Sequence, residues 1–249
     1  MTGLLQLAQL SATGRGVRIA VIDSGVHAAH PHVHGVAGGV GIDTSGHERD
    51  DYTDRLGHGT AVTAAIREKA PDAEIFAVTV FERELATTGQ ALLTALRWAL
   101  DWRSAIINLS LGTTNPDHEP FLADVVQRAR DGHVAIVAAA PQPDARWLPG
   151  ALPGVVRVNV DWTLPRDTCR VEVLPSGEIE IYASGFPRPI PGVPPERNLK
   201  GISFAVANAT GLLARVLAHE AEDGVAVHGH LAGALTRVLV GDSGTTPSS

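Results

Sequence analysis

The sequence predicts an α/β fold with a mostly parallel central sheet flanked by helices. Three observations carry this reading. Apolar runs of strand length recur at residues 17–22, 73–80, 105–112 and 134–140; segments with apolar residues at helical spacing stand between them; and Gly or Pro signals punctuate the series. Strands that alternate with helices form βαβ units, which require a parallel sheet covered on both faces. The 249 residues, 44% apolar, suffice for one sizeable core. No repeat, linker or composition break interrupts residues 1–240, which are expected to form a single domain with a frayed polar tail at 241–249.

In chain order, residues 4–10 suggest a short amphipathic helix, and Thr13-Gly14-Arg15-Gly16 breaks it before the strand 17–22. That strand ends at Asp23-Ser24-Gly25. A carboxylate at the carboxyl end of a parallel strand lies where such sheets bind ligands, although Asp-Ser-Gly equally serves as a turn. His27, His30, His32 and His34 then precede a Gly-rich loop. They read as a metal site or as a solvated loop, and no Cys or helix-borne His pair joins them. Residues 47–55 form a charged loop that reads as a hydrated surface, with an acidic stretch at 50–54.

Leu56-Gly57-His58-Gly59-Thr60 opens a helix whose face is made of small residues, so His58 sits on a rigid element. Its flanking glycines let a substrate or another backbone come near, the alternative being a histidine packed or exposed without a role. The strand 73–80, a helix over 88–102, the strand 105–112, a helix over 121–130 closed by Gly132, and the strand 134–140 follow. A further strand lies within 149–160, and 178–182 alternates like an exposed or hairpin strand. A loop with Pro187, Pro189, Pro191, Pro194 and Pro195 delivers Ser203 to a helix over 203–219 that is apolar all round, and an amphipathic helix over 230–240 ends the fold.

Lys and Arg number 20 against 27 Asp and Glu, a net charge of −7 with no basic run, so nucleic acid is not an expected partner. Cys169, the only cysteine, has no internal disulfide partner, and a reducing cytoplasm suits it. The start of the chain does not read as a signal peptide, and the run 134–140 is too short to cross a bilayer, so neither secretion nor a membrane is expected.

Ser203 alone reads as a helix N-cap or as a nucleophile beside unpaired N–H groups. Asp23 and His58 change the balance. A serine hydroxyl is a poor nucleophile until a base accepts its proton, and the base works best when a carboxylate fixes its tautomer. Val17-Arg18-Ile19-Ala20-Val21-Ile22-Asp23-Ser24-Gly25-Val26, Gly57-His58-Gly59-Thr60 and Gly201-Ile202-Ser203-Phe204-Ala205 resemble the three catalytic motifs of the subtilisin-like serine proteases, in that family's order. His30-Pro31, Ala70-Pro71-Asp72-Ala73 and Ile107-Asn108-Leu109-Ser110-Leu111-Gly112 extend the resemblance, as do Leu148-Pro149 with Val155-Val156-Arg157-Val158 and Ile181-Tyr182-Ala183-Ser184-Gly185.

The resemblance implies a three-layer subtilisin-like fold with Ser203 as nucleophile, His58 as base then acid, and Asp23 as orienter of the imidazolium. It also implies an extended peptide substrate along Ser110, Leu111 and Gly112, with Ala138, Ala139, Ala140 and Trp147 walling a pocket. Four departures accompany the match around Ser203: Ile202, Phe204, Ala207 and Asn208 stand for the family's Thr, Met, Pro and His. In addition, Pro141-Gln142 replaces Gly-Asn, leaving Gln142 as the oxyanion donor one methylene longer. The stretch from His58 to Ala70 lacks the calcium-holding insertion, and no inhibitory pro-segment precedes residue 17, so a compact, cofactor-free intracellular enzyme is expected. The leading reading is a narrow-specificity processing protease for a peptide precursor, with a biosynthetic protein partner possible. The alternatives are a catalytically impaired peptide-binding protein that partners an active protease and, last, a metal hydrolase using His27–His34.

Overall fold

The computed structural model describes residues 1–194, 197–222 and 231–241. Its elements are β1 (Thr2–Gln6), β2 (Arg18–Asp23), β3 (Gly38–Ile42), β4 (Glu48–Arg49), α1 (His58–Lys69), β5 (Glu74–Thr79), α2 (Gly89–Asp101), β6 (Ile106–Leu109), α3 (Glu119–Asp131), β7 (Ala135–Ala139), β8 (Val156–Val160), β9 (Thr168–Val173), β10 (Ile179–Ala183), α4 (Ile202–Glu222) and α5 (Leu231–Gly241). Pro195, His230 and the predicted tail beyond Gly241 lie outside the described residues.

All ten strands join one sheet in the order β1-β9-β10-β8-β7-β6-β2-β5-β3-β4. From β3 across to β10 every pairing is parallel, while β9 runs antiparallel to both β1 and β10, and β4 antiparallel to β3. The continuous apolar runs are strands buried on both faces, as parallel sheets require. On one face Phe204, Leu212, Leu213 and Val216 of α4 pack with α1 residues against Ile19, Val21, Ile106, Val137 and Val158. On the other, Leu92 and Leu96 of α2 and Leu122 and Val125 of α3 cover Ile22, Val78, Ile107, Leu109 and Ile136. Helix α4 is long and apolar enough by composition to span a bilayer, but 78% of that window is buried inside the protein, where it forms the central packing helix.

Register sets the carboxyl ends of these strands side by side: Asp23 faces Thr79, Ile22 faces Leu109, Leu109 faces Ala138, and Ala139 faces Val158. The chain leaves the sheet at the same level on each strand. A crevice at this edge, where β2 has neighbours leading in opposite directions, is where open α/β sheets take ligands.

Three expectations change. Residues 4–10 are not a helix: Thr2–Gln6 pairs with β9 as an edge strand, and only Leu7–Gln9 turn, as a single 3₁₀ turn. The run 105–112 is strand only to Leu109, which frees Ser110, Leu111 and Gly112 to border the crevice. The Gly-rich loop after the histidines contains β3, and its glycines admit two rings, since a Cβ on Gly38 would lie 2.5 Å from Phe76 and one on Gly39 2.4 Å from Tyr52.

The end of β2 and the start of α1 meet backbone on backbone. A Cβ on Gly59 would come within 2.2 Å of the Gly25 carbonyl oxygen, and Gly25 itself has φ +99°. Gly59→Ala is expected to destabilise the protein by about 1–3 kcal/mol through overpacking against rigid backbone, read as a lower urea midpoint at unchanged m-value. A midpoint equal to the wild type would show that the two motifs are not in tight contact.

Candidate active site

Asp23 is the last residue of β2 and fully buried, and His58 is the first residue of α1, with its side chain 16% exposed. His58 Nδ1 lies 2.7 Å from Asp23 Oδ1. The same oxygen accepts the Ser24 N–H at 2.7 Å, so the carboxylate is held by its own strand end while it orients the ring. Nδ1–H donation to a carboxylate leaves Nε2 as the free base, the tautomer a general base needs. Burial pushes the His58 pKa down, but the hydrogen bond and charge of Asp23, with the charge of Asp54 behind them, outweigh this and hold it above its ordinary value.

Ser203 is the second residue of α4, not its cap. Gly201 precedes the helix, its carbonyl accepting from Phe204 and Ala205 and its N–H donating to Gly185. The Ser203 N–H therefore belongs to the unpaired first turn, where the helix carries partial positive charge. Ser203 and His58 border one cleft of about 820 Å³. Among the described residues no hydrogen bond joins their side chains. Phe204 packs on the imidazole, with ring centroids 5.8 Å apart.

The other expected residues gather in this cleft: Ser110, Leu111 and Gly112 on one side, and Ala138, Ala139, Ala140, Gln142 and Trp147 on the other. Paired hydrogen bonds between Thr113 and Leu148, at 2.9 and 2.8 Å, join the two walls. Buried Asn108 donates to Ser110 Oγ at 3.2 Å and accepts from Thr210 of α4 at 3.0 Å, so the groove edge is anchored to the serine-bearing helix. Gln142 lies at the cleft, but its Nε2 donates to Ala140 O at 3.3 Å while its backbone exchanges hydrogen bonds with Ala145. The bond to Ala140 uses one of the two N–H groups of the amide and leaves the second for an oxyanion, and a donor of that kind stabilises a transition state by roughly 2.7–4 kcal/mol.

Sequence reasoning did not place Phe81, Leu85, Leu148, Gly150, Asn159, Val160, Trp162, Tyr182 and Ile202 at the site, and these also line it. Trp162 is 51% exposed and rests against Phe186, with ring centroids 5.1 Å apart. A detectable signal was an indole just past a strand end, at the level of the other site residues. The histidines stay on the loop between β2 and β3, where the His30 and His32 rings meet edge to face; among the described residues no three His, Cys, Asp or Glu gather as a metal-holding group. Asn208, in place of the family's His, donates to the carbonyls of Ser184 and Phe186 and ties α4 to the segment leaving β10.

A model of the subtilase family matches residues 14–142, just over half of the chain. The chain belongs to the subtilase family. The matched span holds Asp23, His58 and Gln142 and ends before Ser203. Among curated subtilases, the minor extracellular protease Epr of Bacillus subtilis is 36% identical over 138 residues, which is 51% of this chain and 20% of that protein. The match thus spans only about a fifth of that relative's length. Among solved structures, a mutant of the protease domain of PatA superposes with a TM-score of 0.65 at 23% identity, covering 93% of this chain and 98% of that one. The prenylagaramide maturation protease PagA gives 0.64 at 22%, covering 98% and 87%. The fold is subtilisin-like across the serine-bearing half as well.

Because the folded-state pKa of His58 is raised, the stability drawn from its pairing with Asp23 is complete below about pH 6.5 and is lost as pH rises through the higher folded value. The stability difference between wild type and Asp23→Asn, from urea midpoints, is therefore expected to be largest near about pH 6 and to shrink towards about pH 9. A difference that grows over this range would contradict the assigned pairing.

Proposed function

We propose that the chain is a serine endopeptidase in which Asp23, His58 and Ser203 form the catalytic triad. The observation that carries this is the Asp23–His58 hydrogen bond set in the same cleft as a serine on the first turn of a buried helix. His58 Nε2 takes the Ser203 hydroxyl proton as Oγ attacks the scissile carbonyl, and later gives that proton to the leaving amine. The Ser203 N–H, the helix dipole and the Gln142 amide face the charge that develops on the carbonyl oxygen. Substrate adds as a strand along Ser110–Gly112, whose main chain lies free of the sheet.

The cleft supports narrow specificity. Among the described residues its lining carries no ionisable side chain apart from His58 and the Tyr182 phenol, and Trp147, Trp162, Leu85 and Phe81 present apolar surface, so uncharged, apolar segments fit best. PagA is a maturation protease, and its similarity supports reading this chain as a processing enzyme for a peptide precursor, with a partner of the same pathway presenting that precursor. The buried free thiol of Cys169 supports a reducing, cytoplasmic setting.

One observation favours the second reading, a peptide-binding protein without turnover: no hydrogen bond joins the Ser203 and His58 side chains. A fluorophosphonate probe separates the two. It is expected to label the wild type at Ser203 and not Ser203→Ala, with His58→Ala labelled at least roughly a hundredfold more slowly. Absence of labelling in the wild type, with the fold intact by circular dichroism, would contradict the protease reading and leave the binding one.

A further inference from the structure

The charged loop before His58 divides into two roles. Asp51 faces outward and pairs with Arg55 at 2.5 Å. Asp54 turns inward, and both of its oxygens are fully engaged. Oδ1 accepts from the Ser24 hydroxyl at 2.9 Å and from the N–H groups of Leu56 and Gly57 at 2.9 and 2.8 Å. Oδ2 accepts from the Thr60 N–H at 2.8 Å and the Thr60 hydroxyl at 2.6 Å. The Ser24 hydroxyl in turn accepts the Gly59 N–H at 2.9 Å, and the Thr60 hydroxyl accepts the His27 N–H at 3.0 Å.

These bonds enclose the Asp23–His58 pair. Ser24 follows Asp23, while Gly57, Gly59 and Thr60 surround His58. Gly57, the residue that would cap α1, has φ +81° and no capping side chain, so Asp54 supplies the cap from three residues upstream. A carboxylate at this helix end is also favoured by the dipole.

We propose that Asp54 is a positioning residue for this site: it locks the end of β2 to the first turn of α1 and so sets the distance and angle between Asp23 and His58. It does not line the cleft. Its charge acts on His58 as well. The charges that act on the ring are those of Asp23 from β2 and Asp54 from the loop, and from α4 it packs against the uncharged Phe204. Burial favours the neutral acid, but the bonds from Thr60, Leu56 and Gly57 outweigh it and hold the Asp54 carboxyl below its ordinary range, so it is charged wherever His58 titrates.

The consequence for turnover rests on the protease reading; the consequence for the imidazole does not. Asp54→Asn, which keeps the size but removes the charge and one of the two acceptor oxygens, is expected to lower kcat by roughly ten- to a hundredfold with KM within about twofold. It is also expected to move the His58 titration, followed by the imidazole proton resonances, down towards the ordinary value. Ser24→Ala removes one arm only and is expected to lower kcat less, again with KM unchanged, which keeps the claim testable if Asp54→Asn does not fold. Folded Asp54→Asn with unchanged kcat and unchanged His58 titration would overturn the proposal, as would a lowered melting temperature with both unaltered. If the wild type neither cleaves peptides nor takes the fluorophosphonate, the protease reading has failed, and the His58 titration still decides the role of Asp54.

Discussion

The approach of two backbones, Gly59 over the carbonyl of Gly25, is the constraint on which the cleft depends. With no Cβ between them, the end of β2 and the start of α1 close to a distance at which an Asp side chain reaches an imidazole directly, 2.7 Å from oxygen to nitrogen. A methyl group there would separate the motifs by more than a hydrogen bond tolerates. The rest of the site arrives from other strands: β6 brings Ser110, β7 brings Ala138–Ala140, and β10 leads through Gly185 to the start of α4. Parallel register aligns these exits, so one sheet edge gathers residues up to 180 positions apart in sequence.

Departures from the subtilase pattern are absorbed by local bonding. Asn208 replaces a histidine and holds two carbonyls of the segment after β10. Thr210 reaches Asn108 and, through it, the groove serine. Without a proline at position 207, α4 runs unbroken from Ile202 to Glu222 and places Ser203 in its first turn. Gln142 is the departure that bears most on chemistry, because one N–H of its amide is held by Ala140 in the resting protein and the second is what remains for an oxyanion.

Much of this was legible in the sequence because the physics was local. Residues 17–22, 73–80 and 134–140 are apolar runs whose burial on both faces leaves no other stable state, and Asp23, His58 and Ser203 lie at Gly-marked ends of such elements. What stayed hidden depends on partners distant in sequence. Leu4, Leu5, Leu7 and Leu10 have helical spacing, yet pairing with β9 makes an edge strand in which Leu4 is exposed and Leu5 buried. The glycines of β3 signal a loop until the rings of Phe76 and Tyr52 are seen above them. Strand β9 did carry a signal, since Cys169, Val171 and Val173 alternate with Arg170 and Glu172, and the alternate residues are the buried ones. Asp54 was indistinguishable from its hydrated neighbours, because its partners Ser24 and Thr60 meet it only when β2 and α1 meet.

The most direct test of this account is the crystal structure of the protein after reaction with diisopropyl fluorophosphate. The account predicts phosphorus bonded to Ser203 Oγ, a phosphoryl oxygen facing the Ser203 N–H, and the Gln142 amide donating to that oxygen, with Asp23 still bonded to His58. An adduct on another residue, or a phosphoryl oxygen turned to solvent away from both the Ser203 N–H and the Gln142 amide, would contradict it.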